Sequence, residues 1–77
     1  MRYQLHLYWN GTCVLEATTT AAIAYGTIHA HMSENFIGKI PFPTLSQITM
    51  MNAGSSMGGD YGDGTGHAAY KLVCQKD

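Results

Sequence analysis

Apolar and polar residues alternate on both sides of Asn10-Gly11, from Arg2-Tyr-Gln-Leu-His-Leu-Tyr-Trp9 into Thr12-Cys-Val-Leu-Glu-Ala17. A period of two marks half-buried strands. Asn-Gly between two such runs is the strongest short-range signal of a β-hairpin. Register is then a matter of loop length. A two-residue loop pairs Leu5 with Glu16 and sets a carboxylate on the apolar face. A three-residue loop of Trp9, Asn10 and Gly11 pairs Tyr8 with Thr12, Leu7 with Cys13, Leu5 with Leu15 and Tyr3 with Ala17. Tyr3, Leu5, Leu7, Cys13, Leu15 and Ala17 then share one face, and Gln4, His6, Tyr8, Thr12, Val14 and Glu16 the other. A slip of one residue inverts that segregation, so the three-residue loop is predicted, with residues 1–17 as the hairpin.

Past Thr18-Thr19-Thr20, whose hydroxyls suit a helix N-cap, Ala21, Ala24, Tyr25, Ile28, Met32 and Phe36 recur at steps of three and four. That is the spacing of one helix face. It predicts a helix over residues 18–37, with Gly26 allowing close approach to a sheet and Gly38, Pro41 and Pro43 ending it. Residues 44–76 read as a second β-hairpin. In it Leu45 to Asn52 is a weak strand with Ile48 and the core residue Met50 on one face, and residues 53–66 are a long glycine-rich loop. Ala68 to Gln75 closes the chain as a strand in which Tyr70, Leu72 and Cys74 alternate with Lys71 and Gln75. The expectation is one domain over residues 1–77, of α+β class and order β-β-α-β-β. Its antiparallel sheet carries one helix packed on the apolar face.

Composition narrows the partners. Charged residues make up 12% of the chain and the formal net charge is −1, so contacts must rely on aromatic, amide, hydroxyl and backbone groups. Arg2, Lys39, Lys71 and Lys76 are scattered, whereas a nucleic-acid binder needs clustered cations to displace counterions from phosphates. Five carboxylates, Glu16, Glu34, Asp60, Asp63 and Asp77, are too few to imitate DNA. Direct nucleic-acid binding is therefore not expected. No run approaches the ~18 apolar residues of a membrane span, and no secretory leader is legible. Cys13 and Cys74, both read as inward-facing, suit reduced thiols, so a cytoplasmic location is expected.

Candidate chemistry is sparse. His29 and His31 stand two apart, which on a helix sends them to nearly opposite sides, while His6 and His67 lie far apart in sequence. Neither Cys-x-x-Cys nor His-Glu-x-x-His occurs, so no metal site and no cofactor are expected. Asp60-Tyr-Gly-Asp-Gly-Thr-Gly66 carries only two carboxylates and no closing glutamate, too few oxygens for an EF-hand loop. No nucleophile has a base near it in sequence, so the protein is not expected to be an enzyme. Trp9 at the hairpin tip, with Tyr8 and Asn10 beside it, and Tyr61 between Asp60 and Asp63 in the glycine loop have the make-up of protein-binding anchors. Tyr8, Trp9, Asn10, Asp60, Tyr61 and Asp63 are therefore the candidate partner-binding residues. A metal- or small-ligand-binding domain using His6, His67 and the Asp/Gly loop is the alternative, and a homodimeric structural module is a third reading.

An Asn-Gly hairpin, then Glu16-Ala17-Thr18-Thr19-Thr20-Ala21-Ala22 opening a helix, then a second hairpin, together resemble small phage-encoded inhibitor proteins of the anti-CRISPR or host-takeover type. The resemblance lies in topology and size rather than in any diagnostic motif. It implies action without catalysis, by steric occlusion of a host protein or ribonucleoprotein complex such as a CRISPR effector or RNA polymerase.

Overall fold

The computed structural model describes residues 2–35 and 43–75. Strand β1 runs over Tyr3–Trp9 and β2 over Thr12–Thr19. Asn10 has φ 51° and Gly11 φ 82°, the paired positive values of a two-residue type I′ turn. This corrects the three-residue loop. Trp9 pairs with Thr12 and Tyr8 with Cys13, after which the register shifts, so that Leu7 pairs with Leu15, His6 with Glu16 and Leu5 with Ala17. Val14 is the extra residue of a β-bulge and is 55% exposed. The bulge reconciles two demands that conflict in a regular ladder: Asn-Gly takes its preferred turn, and Leu15 and Ala17 still fall opposite Leu7 and Leu5. A further correction follows. Cys13 opposes Tyr8 and is exposed on the outer face, whereas Cys74 is buried on the inner one.

Helix α1 spans Ala21–Asn35. The expected 18–37 starts too early, because Thr18 and Thr19 are the last residues of β2, and its final two residues, Phe36 and Ile37, with the expected stops Gly38 and Pro41, lie outside the described ones. Thr20 is the hinge: its hydroxyl accepts from Ile23 N–H (3.4 Å) and its carbonyl from Ala24 N–H (2.9 Å). Ala24, Ile28 and Met32 are fully buried, with Ala21 and Tyr25 packed beside them, so the three-and-four spacing does mark the face turned to the sheet. Gly26 is not on that face. It is exposed, and a Cβ added there would meet nothing within 4 Å.

The weak strand expected at Leu45–Asn52 is instead a short helix, α2, over Leu45–Thr49. A capping box starts it: Gln47 N–H donates to the Thr44 hydroxyl (3.1 Å), and Thr44 N–H donates to the Gln47 amide oxygen (2.8 Å). Thr-x-x-Gln is the sequence signature of that motif. Ile48 is buried, and Met51, not Met50, reaches the core, since Met50 is 79% exposed. Strand β3 then runs over Ser56–Asp63, inside the stretch read as a loop, and β4 over Gly66–Cys74.

Every neighbouring pair is antiparallel and the strand order is β2-β1-β4-β3. The α+β class and the β-β-α-β-β order are thus as the sequence predicts, with α2 as an addition. Helix α1 lies on β1 and β4, over a core of Tyr3, Leu5, Leu7, Ile28, Met32, Ile48, Tyr70, Leu72 and Cys74. The Tyr3 hydroxyl donates to the Ile48 carbonyl (3.2 Å), which ties α2 to the sheet. Burial, with the Cys74 thiol adding to it, pushes the Tyr3 hydroxyl above its ordinary titration range, and burial does the same to Tyr70.

Glycine suits β3 because cross-strand groups occupy the space where side chains would stand. Gly59 pairs with Tyr70 and Gly62 with His67. A Cβ at Gly59 would come 3.0 Å from the Tyr70 ring, and one at Gly62 would come 2.9 Å from the His67 ring. At the start of β4, a Cβ on Gly66 would collide with the Trp9 ring. Each glycine leaves room for one aromatic ring to lie flat on the backbone.

Candidate functional site

Two hairpin tips, Asn10-Gly11 and Gly64-Thr65, come to the same end of the sheet because β1 and β4 are central and antiparallel. They are joined directly. Asn10 N–H donates to the His67 carbonyl (2.7 Å), and His67 N–H donates to the Asn10 side-chain oxygen (2.8 Å). Asn10 therefore serves two purposes, accepting positive φ in its turn and extending the central ladder past Trp9.

Around that joint stand the six residues singled out in the sequence. Trp9 and Tyr61 both lie opposite Ala68, one from each neighbouring strand, and both are half-buried against the core. Trp9 is not a projecting tip: it ends β1 with its ring on Gly66. Tyr8 lies on the other face, its ring stacked on His6 at 6.4 Å between centroids. Asp60 accepts from His67 Nε2–H (2.6 Å), a bond made possible by the bare backbone at Gly62 beneath the imidazole. Both partners are largely exposed, so the pair contributes well under ~1 kcal/mol. Asp63 closes the second turn by accepting from Thr65 N–H (2.7 Å) and from the Thr65 hydroxyl (2.6 Å).

The outer face of the sheet holds a second grouping, missed in the sequence. The ligating atoms of His6, Cys13 and Glu16 lie within 4.8 Å of one another. His6 and Glu16 are direct cross-strand partners. Cys13 joins them because the Val14 bulge changes the parity of β2: residues three apart in a regular strand face opposite ways, and the extra residue turns both outward. The signal was available, since a two-residue Asn-Gly loop plus one bulged residue satisfies turn chemistry and still sets Leu15 and Ala17 opposite Leu7 and Leu5. His6 and His67, grouped in the ligand-binding alternative, are separated. His6 pairs with Lys71, four residues along β4 from His67, or roughly 13 Å at the rise of a strand. Of the helix histidines, His31 donates from Nε2 to the Tyr8 carbonyl (3.0 Å), and the His29 ring lies 6.0 Å from that of Tyr25.

A cleft at the opposite end of the sheet is lined by Arg2, Thr18, Thr19 and Thr20. This lining carries one cation and three hydroxyls and no acid, imidazole or thiol. No helix among the described residues is long and apolar enough to cross a membrane. Comparison with family models, with curated proteins and with solved structures found no significant match.

Proposed function

We propose that this chain is a small non-catalytic protein-binding inhibitor, of the phage-encoded kind that its topology resembles. In this reading it acts in the host cytoplasm by seating its joined hairpin tips on a host complex such as a CRISPR effector or RNA polymerase, and so blocks a functional surface sterically. The observation that carries the reading is the reciprocal Asn10–His67 bonding. It locks into one end of the sheet two hairpins that carry Trp9 and Tyr61 on the helix side, Tyr8 and Asp60 on the outer side, and Asn10 and Asp63 at the turns. Rigid aromatic groups ringed by amides and carboxylates lose little entropy on binding, and such anchors dominate interface energetics. The low charge of the chain favours a shape-matched contact over one steered by long-range fields.

A steric probe tests this directly. A Cβ at Gly64 meets nothing within 4 Å, so Gly64→Arg adds bulk and charge at the tip while the fold is kept. Gly26→Arg, on the exposed surface of α1, is the matched control. Affinity capture from a bacterial lysate should retain one stoichiometric complex with the wild type and the control and lose it with Gly64→Arg. A complex that survives Gly64→Arg rules out the tips as the contact.

A further inference from the structure

The grouping on the open face of the sheet is independent of the partner reading and goes beyond it. His6, Cys13 and Glu16 supply an imidazole nitrogen, a thiol sulfur and a carboxylate oxygen from two adjacent strands. We propose that these three side chains form a zinc site with three protein ligands and an open fourth position.

The donor set selects the metal. Calcium and magnesium take oxygen ligands and leave thiols alone, whereas sulfur, imidazole nitrogen and carboxylate oxygen are the ligand types of zinc. Charge agrees with the assignment, because a thiolate and a carboxylate neutralise one divalent ion. On binding, the zinc ion displaces the thiol proton, so that one zinc–sulfur bond forms, one sulfur–hydrogen bond breaks and one proton goes to solvent. In the absence of metal that thiol donates to the Leu15 carbonyl (3.4 Å).

Distance is compatible as well. Bond lengths of about 2.0–2.3 Å around a tetrahedron put ligand atoms about 3.3–3.8 Å apart. From a spread of at most 4.8 Å, closing the site requires small rotations of side chains that are exposed at Cys13 and Glu16 and half-buried at His6. Outer groups already orient two of the ligands. The Gln4 amide donates to Glu16 Oε1 (3.5 Å), and the Tyr8 ring lies parallel to the His6 imidazole within 12°. Among the described residues, the cation facing this grouping is Lys71, the cross-strand partner of His6 on β4, and it opposes binding. It approaches from the flank opposite β2, leaving Cys13 and Glu16 on the far side of His6.

The backbone supplies the strongest argument. Cys13 and Glu16 reach one face only because of the Val14 bulge, and bulges commonly serve to re-aim a side chain.

The test is a calorimetric titration of the untagged, reduced protein with zinc chloride. One equivalent should bind, with affinity falling by more than about tenfold in Cys13→Ser, His6→Ala and Glu16→Gln, a loss that removal of even an outer partner can bring. His67→Ala should bind as the wild type does. Cobalt(II) should give a thiolate-to-cobalt charge-transfer band that Cys13→Ser abolishes. Zinc should also slow maleimide alkylation of the exposed Cys13 in the wild-type chain, a readout that needs no variant to fold. The proposal is overturned by the absence of saturable binding, by binding that survives Cys13→Ser, or by binding lost in His67→Ala while the other three retain it.

Discussion

The two hairpins reach the same strand geometry by opposite means. In β1 and β2 the side chains carry the information: Tyr3, Leu5 and Leu7 alternate with polar residues, and Asn10-Gly11 sets the turn. In β3 the strand has no alternating apolar pattern of its own, and four of the glycines in the chain's second half contact groups from another strand: Gly58, Gly59, Gly62 and Gly66. The first hairpin specifies itself. The second is specified by what its partner strands lay on it, so its stability should depend on the space at each glycine rather than on side chains that β3 itself contributes.

The largest expected effect tests that space. Gly66→Val forces the Trp9 ring off the backbone of β4 and should cost about 2–3 kcal/mol in denaturant unfolding. In a double-mutant cycle with Trp9→Ala, the pair should cost less than the two single changes together by at least about 1 kcal/mol. Additivity would mean that ring and glycine are not coupled. Next comes Asn10→Ala, at about 2 kcal/mol: alanine resists φ 51° and loses the bond from His67 N–H. If chemical denaturation finds it neutral, the joint between the hairpins carries nothing.

Each hairpin also contributes one core tyrosine to compare. Tyr3→Phe loses a bond to Ile48 and should cost about 1 kcal/mol. Tyr70, whose ring covers Gly59, should lose less as Tyr70→Phe. Both hydroxyls titrate above the ordinary value of 10.0 when folded. The stability linked to them is therefore present in full below about pH 10 and is lost as pH rises toward the folded values, because the unfolded chain ionises first. Either Phe variant should lose stability less steeply in that alkaline range, and an unchanged slope would break the assignment. The smallest effect has the opposite sign. Gly26 has no ring upon it and an open surround, so Gly26→Ala should raise the melting temperature, by about 0.5–1 kcal/mol of stability. A loss there would show that this glycine, like those of β3, is required by its surroundings.

How much the sequence revealed follows the same division. Hairpin one, helix α1 and the inward face of β4 were legible because side-chain period and contact coincide there, as at Ala24, Ile28 and Met32 or at Tyr70, Leu72 and Cys74. β3 was not, because Ser56–Asp63 offers only Met57 and Tyr61 as apolar positions facing the core. Its pairing is dictated by Tyr70 and His67 on another strand. α2 was signalled by Thr44 and Gln47, and five residues are too short for a period to emerge. For the candidate site, the sequence named residues that the fold brings to one end of the sheet, but not the faces they take there. Nothing local tells that Trp9 folds back, because Gly66 lies at the far end of the sequence. The His6–Cys13–Glu16 grouping was hidden by a single residue of register.

The pairing of β1 with β4 bears on how the molecule is made. Tyr3 opposes Cys74 and Leu5 opposes Leu72, so the centre of the sheet joins the first and the last of its four strands in chain order. Until β4 emerges, β1 has an unpaired edge and α1 has only half of its seat, so folding must wait for contacts between the first and the last strand. Such a topology closes slowly for its size. During synthesis the nascent hairpin presents the strand edge that the finished molecule keeps covered.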